Sequence, residues 1–215
     1  MKKFLVLGVL FILPIVAYLF FSSGVNNFAK LPVLTKDVSD ISQFQTLNGD
    51  TLSLENKITV LSVYGSGIEA KAGSAFNLNE KIYDKNYNFE DFQFVVVAEN
   101  GFQDEAKALL SELGTTIDVK KWNFVFGSKS QIKEFYNSLG TNITLNANLA
   151  TDYCFIIDKN KSLRGRPAED DEPVRYGYNS ASVADLTNAM TDDIKVILAE
   201  YRLALKKYNK NDALK

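Results

Sequence analysis

Two predominantly apolar runs without a charged residue, at 58–64 and 92–98, constrain the fold of this chain most strongly. They read ITVLSVY and FQFVVVA, with four and three β-branched residues among their seven positions. Such runs are typical of strands buried on both faces, which occur where helices cover both sides of a sheet. The chain has 215 residues, enough for one α/β domain with an ample core, and one domain is our expectation.

The segments around these two runs alternate between helix and strand patterns. Helical periodicity is found at 74–86, 102–113, 130–139 and 180–207. Ser74 is the predicted N-cap of the first of these helices. Further strands are predicted at 122–126, at 153–158 and at 162–166, the last two forming a hairpin around a turn at 159–161.

A second hairpin is predicted at the start of the domain. Residues 41–47 and 51–54 alternate between apolar and polar types on either side of Asn48-Gly49, a strong hairpin signal. The predicted fold is therefore α/β: a central mixed sheet flanked by helices, with an N-terminal β-hairpin extension.

The N-terminus predicts a membrane anchor. Lys2 and Lys3 precede eighteen uncharged residues, Phe4 to Phe21. That length suffices for one transmembrane helix, whose lysines stay on the cytoplasmic side. A cleavable signal peptide is the alternative, but its apolar region is normally about 7–15 residues long and ends in a small-x-small site that 18–21 lacks. We expect a single-pass inner-membrane protein whose C-terminal domain faces the periplasm or outside.

The remaining chain divides by composition. We expect an anchor at 1–21, a linker at 22–40 that contains Gly24 and Pro32, a folded domain at 41–207, and a polar tail at 208–215.

Composition excludes several kinds of function. The chain has one cysteine and no histidine, so it forms no internal disulfide and has no site built on imidazole. Its net charge of −2 and isoelectric point near 5.3 give no general attraction to phosphate backbones, so we expect no nucleic-acid partner.

The loop after the first apolar run is the candidate binding site. Its candidate residues are Gly65, Ser66, Gly67, Glu69 and Lys71. Gly65-Ser66-Gly67 could cradle an anion at the start of the next helix, with Lys71 assisting, or could simply begin that helix. Glu69 and Lys71, two positions apart, do not face each other on a helix, so a solvated surface is expected rather than an acid/base pair.

Three other features invite both a functional and a structural interpretation. Cys154 lies in an apolar strand and is expected to be a small buried core residue rather than a reactive thiol. The acidic run 169–172 could hold Ca²⁺ but is expected to be solvated. Arg164 and Arg166 could bind a carboxylate ligand, although pairing with that acidic run explains them more simply.

The chain resembles the Sco/SenC proteins, which are thioredoxin-fold, membrane-anchored proteins of respiratory copper-centre assembly. The resemblance covers about 41–201. It is carried by the order of the elements and by LSVY at 61–64, FVVVA at 94–98, W-x-F-x-x-G at 122–127, FIID at 155–158 and LRGR at 163–166. It implies a thioredoxin-like fold and a protein partner in respiratory-chain assembly.

The copper ligands of that family are missing. The resemblance places the family's Cys-x-x-x-Cys at about Gly67 and Lys71, and its histidine ligand near 148–150, Asn-Leu-Ala. These residues lack the thiolates and imidazole that bind copper, so we expect no metal or other cofactor at the family site.

The function expected from this resemblance is a non-catalytic accessory or scaffold role in cytochrome c oxidase biogenesis. Two alternatives stay open. One is a small-ligand or anion-binding sensor that uses the loop at 65–71, and the other is a thioredoxin-like redox protein that uses Cys154.

Overall fold

The computed structural model describes residues 2–23, 30–169 and 172–212, with side chains at 3, 7–19, 30–169 and 172–202. The strands are β1 (Val33–Thr35), β2 (Gln45–Thr46), β3 (Ile58–Gly65), β4 (Phe92–Glu99), β5 (Trp122–Gly127), β6 (Tyr153–Ile157), β7 (Leu163–Arg164) and β8 (Tyr178–Asn179). The α-helices are α1 (Lys2–Ser23), α2 (Ala72–Leu78), α3 (Asp84–Asn86), α4 (Gln103–Leu113), α5 (Lys129–Ser138), α6 (Val183–Asp185) and α7 (Thr191–Asp212).

Short non-α turns extend two of these helices. A 3₁₀ turn at Glu69–Lys71 leads into α2, and a π-helical turn at Asn79–Tyr83 continues it into α3. A second π-helical turn, Leu186–Met190, joins α6 to α7. Ser74 therefore lies inside a helix that begins earlier, and its prediction as an N-cap is wrong.

All eight strands form one mixed sheet. Its order is β1-β7-β6-β3-β4-β5-β2, and β8 pairs with β6. The two apolar runs, β3 and β4, lie side by side in parallel at its centre, and β5 continues the parallel part. The strand β6 runs antiparallel on the other side of β3. This arrangement confirms the predicted mixed sheet.

Helices cover both faces of this sheet, as the burial of both faces of β3 and β4 requires. Alternate residues of the central strands point to opposite faces. Val60 and Tyr64 pack with α2, α4 and the first turns of α7, whereas Leu61 and Val63 pack with α5. The site described below lies where β3 ends.

The predicted N-terminal hairpin is wrong in its pairing. The turn exists, because Gly49 adopts φ +81° and its amide donates to the Thr46 carbonyl. However, residues 51–54 form no strand, and β2 pairs instead with β5 at the edge of the sheet. A local turn signal thus specified the chain reversal but not the strand partner.

Part of the predicted linker belongs to the folded domain. The strand β1, inside the range 22–40, pairs with β7. Leu31 and Val38 are buried, and the Thr35 hydroxyl donates to the Leu139 carbonyl at 2.7 Å. Burial of these residues requires that the folded domain begin at least ten residues before 41.

The N-terminal segment is helical, as predicted. Within the described residues, none of the helices combines the length and the apolar character needed to span a bilayer. The anchor at 1–21 therefore stays a prediction.

Candidate functional site

The loop after β3 turns sharply at Gly65. This residue has φ +51°, a conformation that side-chain-bearing residues rarely adopt. A Cβ placed on it would lie 2.0 Å from the carbonyl oxygen of Asn148 and 2.6 Å from that of Leu149. Gly65 is therefore required for the close packing of two loops, the one after β3 and the one before β6.

The amide groups of Ser66 and Gly67 are already used by the protein. Ser66 donates its backbone N–H to the Asn148 carbonyl at 3.0 Å, and Gly67 donates to the Tyr64 carbonyl at 2.7 Å. An anion held in this loop would have to compete with those carbonyls. The prediction of an anion cradle thus receives no support from the geometry.

Lys71 differs most from its sequence-based interpretation. The expectation of a solvated surface holds for Glu69, which is exposed, but is wrong for Lys71, which is only 8% exposed. The ammonium Nζ lies 2.5 Å from Oδ1 of Asp152, whose side chain is half-exposed. A buried ammonium needs such a partner, since an unpaired charge away from water is costly.

This ion pair joins the same two segments that carry the candidate ligand positions. A Cβ placed on Gly67 would lie 3.6 Å from the Cβ of Ala150, and the Lys71 amide donates to the Gly67 carbonyl at 3.2 Å. Gly67, Lys71 and Ala150 are therefore neighbours in space. Gly67 and Ala150 have no donor atom in their side chains, and Lys71 is engaged by Asp152, so these residues do not fit copper.

A shallow cavity of about 400 Å³ opens beside the ion pair. Lys71 and Asp152 form part of its wall, and the remainder is mostly polar: Asn142, Thr144, Asn146, Thr151 and Tyr153. None of these residues is a thiol, and the chain has no imidazole base that could activate one of the hydroxyls.

Cys154 is a core residue, as predicted. It is fully buried in β6, with its Sγ 3.5 Å from Sδ of Met190 and 3.4 Å from the Tyr178 carbonyl oxygen. Burial raises the pKa of the thiol, so the nucleophilic thiolate is disfavoured. This environment argues against a redox role for Cys154.

Arg164 and Arg166 pair with acids other than those predicted. Arg164 is 4% exposed and donates to Asp158 at 2.8 Å and to Glu200 at 2.6 Å. Arg166 donates through Nε to Asp193 at 2.8 Å. Neither arginine forms an ion pair with Glu169 or Glu172, so the predicted pairing is not found among the described residues, and both arginines connect the β6–β7 region to α7.

The acidic run itself is only partly described. Asp170 and Asp171 lie outside the described residues, so the calcium interpretation is untested there. Among the residues that the structure does describe, no group of three or more acidic or cysteine side chains could hold a metal ion.

The architecture defines the class of protein as thioredoxin-like: a central mixed sheet, helices on both faces, and a loop at the end of β3 that enters a helix. Within this class, the chain is similar to the crystal structure of a SCO1/SenC family lipoprotein from Bacillus anthracis. The TM-score is 0.57 at 17% identity, over 79% of this chain and 99% of that one.

A candidate protein disulfide isomerase from Bacteroides thetaiotaomicron is also similar, with a TM-score of 0.51 and 10% identity over 80% of this chain and 95% of the other. No protein-family model and no curated protein matches the sequence. At such low identity these likenesses show the fold alone. The resemblance to Sco/SenC proteins is thus confirmed at the level of the fold.

Sequence reasoning identified the loop but missed Asp152, the partner of Lys71. The sequence did contain a weak signal, an acidic residue immediately before a buried strand. Only the pairing of β6 with β3 brings that residue to the loop.

Proposed function

We propose that this protein is a degenerate relative of the Sco/SenC proteins that acts as a non-catalytic accessory or scaffold in cytochrome c oxidase biogenesis. The observation that carries the proposal is the Lys71–Asp152 ion pair. It joins the loop after β3, where Lys71 stands at one of the positions that the resemblance assigns to a copper ligand, to Asp152 in the segment before β6, just after the range 148–150.

The ion pair replaces the structural effect of a metal without its chemistry. A bound copper ion would link the two segments through its ligands. Here a buried ammonium and a half-exposed carboxylate form an ion pair between the two segments, and copper takes no part in it. We expect the exposed surface around the loop to contact another protein while the ion pair helps to hold the two segments together.

We propose further that residues 1–21 anchor the protein in the inner membrane, with the domain on the periplasmic or outer side. The positively charged Lys2 and Lys3 followed by an uncharged run support this orientation. The described apolar side chains of α1 are solvent-exposed, among them Leu10 at 65% and Phe11 at 64%, which suits a lipid environment.

The experiment is deletion of the gene in the source organism, with assembled cytochrome c oxidase measured by its haem absorbance in isolated membranes. We expect the deletion to lower the amount of assembled oxidase, and added copper not to restore it. A plasmid copy of the wild-type gene should restore assembly. Rescue by copper alone would show a copper-supply role, and an unchanged oxidase level would remove the proposal.

A further inference from the structure

The helices α2 and α4 enclose an apolar groove on one face of the domain. The groove has a volume of about 270 Å³. Ile68 and Leu109 form its floor at 1% and 4% exposure, and Ala72 and Ala108 form its walls. It lies beside the 3₁₀ turn that contains Lys71, so it adjoins the candidate site without including the ion pair.

A second depression continues the groove along α2. Phe76 follows Ala72 by one helical turn and is 40% exposed, which is unusual for a large aromatic side chain in this domain. With Thr116 and Ile117 it lines a cavity of about 320 Å³, whose remaining lining residues, Asn79, Glu80 and Asp84, are polar. The second depression thus adds an exposed aromatic side chain and two exposed carboxylates, Glu80 and Asp84, next to the groove.

Carboxylates without partners surround the first depression. Glu69, Glu105 and Glu112 all line it and are exposed. Within the described part of the chain, these three side chains form no ion pair and no hydrogen bond. By contrast, Asp104 on the neighbouring face of α4 pairs with Lys107 at 3.3 Å.

We propose that this groove docks a basic amphipathic helix of a partner protein. Apolar side chains of that helix would fill the surface between α2 and α4, and its lysines or arginines would meet Glu69, Glu105 and Glu112. The charge complementarity selects this occupant, because like charge would repel an acidic segment or an anionic lipid surface. The inference does not depend on a role in oxidase assembly.

The test uses the full-length chain in neutral phosphatidylcholine nanodiscs, with empty nanodiscs as the blank. The probe is a fluorescent 14-residue helical peptide with leucines on one face and lysines on the other, and the control peptide has glutamate in place of each lysine. Binding is followed by fluorescence anisotropy. We expect the lysine peptide to bind with a dissociation constant of about 10–100 μM, at the weak end for protein contacts, and the glutamate peptide not to bind.

The variants separate the groove from general surface charge. Glu105→Gln/Glu112→Gln should weaken binding at least about 5-fold, and raising the salt concentration should weaken wild-type binding similarly because it screens exposed charges. The matched control, Asp104→Asn, should bind as the wild type does. Ala108→Trp should block the groove without changing its charge.

Four results would each overturn the inference: no binding of the lysine peptide at 1 mM, equal binding of both peptides, equal weakening by Asp104→Asn, or self-association of the chain that Ala108→Trp abolishes. The last result would identify a second copy as the occupant. Because no oxidase is present in this assay, its failure is distinguishable from failure of the function proposed above.

Discussion

Lys71 and Asp152 lie 81 residues apart in sequence, yet Nζ of the first is 2.5 Å from Oδ1 of the second. The two partners are unequally buried, since the lysine side chain is 10% exposed and the aspartate side chain 52%. Removal of either partner therefore has a different physical consequence. A carboxylate left alone is solvated by water, whereas an ammonium left alone stays largely desolvated.

We expect Asp152→Asn to destabilise the protein more than Lys71→Met does. Asp152→Asn should lower the free energy of unfolding by about 1–3 kcal/mol, and Lys71→Met should lower it by less than about 1 kcal/mol. Urea denaturation of both variants measures the difference. The exposed pair Lys195–Asp192 is the control. Substitution of either of its partners should change the free energy of unfolding by no more than about 0.5 kcal/mol. Equal losses of stability in the two variants would contradict the unequal burial of the Lys71 and Asp152 side chains.

Gly65→Ala should be severely destabilising, by more than about 3 kcal/mol, because the new Cβ would collide with the Asn148 carbonyl and φ is +51°. The matched control is Gly73→Ala. Gly73 lies in α2 with nothing within 4 Å of a new Cβ, so this change should stabilise by about 0.5–1 kcal/mol. Thermal unfolding measures the loss of stability in Gly65→Ala and the gain in Gly73→Ala. A stable Gly65→Ala variant would mean that the two loops do not pack as described.

A copper site should be possible to create at three positions that lie close together in the structure. We expect the variant Gly67→Cys/Lys71→Cys/Ala150→His to bind about one copper ion, because it supplies two thiolates and an imidazole where the structure places neighbours. The wild type should bind none. Metal analysis after a desalting column gives the stoichiometry, and Cys154→Ser in both backgrounds controls for the native thiol. Tight binding by the wild type that is lost with Cys154→Ser would show a metal site elsewhere.

Iodoacetamide should fail to label Cys154 in the native protein at pH 8 and should label it fully in 6 M guanidinium chloride. The reason is that the thiol is inaccessible and its pKa is raised by burial, so little thiolate is present or reachable. Mass spectrometry counts the adducts. Rapid native labelling would revive the redox alternative for this chain.

Asp40 should make stability depend on pH at the acidic end. Burial alone would raise the pKa of this carboxyl, but it accepts hydrogen bonds from the Ser53 hydroxyl at 2.6 Å and from the amides of Leu54 and Ile41, which together lower its pKa below 3.8. Because the pKa of Asp40 is lower in the folded state than in the unfolded state, its carboxylate stabilises the folded protein fully above the unfolded-state pKa. That stabilisation is lost as the pH falls through the folded-state pKa.

Accordingly, Asp40→Asn should cost about 1–2 kcal/mol at pH 7, and the difference from wild type should shrink toward zero as the pH falls through the folded-state pKa of Asp40. Urea unfolding at a series of pH values measures it. Asp50→Asn, at an exposed carboxylate in the adjacent turn, is the control for the loss of one surface charge. A cost for Asp40→Asn that persisted unchanged at low pH would show that the charge of Asp40 is not what matters.

Local sequence signals predicted much of the fold. The strands β3 and β4, the helices α4 and α5, and the burial of Cys154 all follow from apolar periodicity and from turn residues next to each element. Where the structure differs, the deciding contact is distant in sequence. Asn48-Gly49 specified a turn, but the partner of β2 is β5, some eighty residues further along the chain.

The sequence by itself determined which chemistry this protein lacks. A chain with one cysteine and no histidine cannot form the family's copper site, whatever its fold. Only the tertiary structure decided what occupies that position instead. The sequence around Lys71 predicts an exposed surface residue. Its burial against Asp152 results from the antiparallel pairing of β6 with β3. Periodicity reports contacts within one element, whereas this contact exists only once the sheet has assembled.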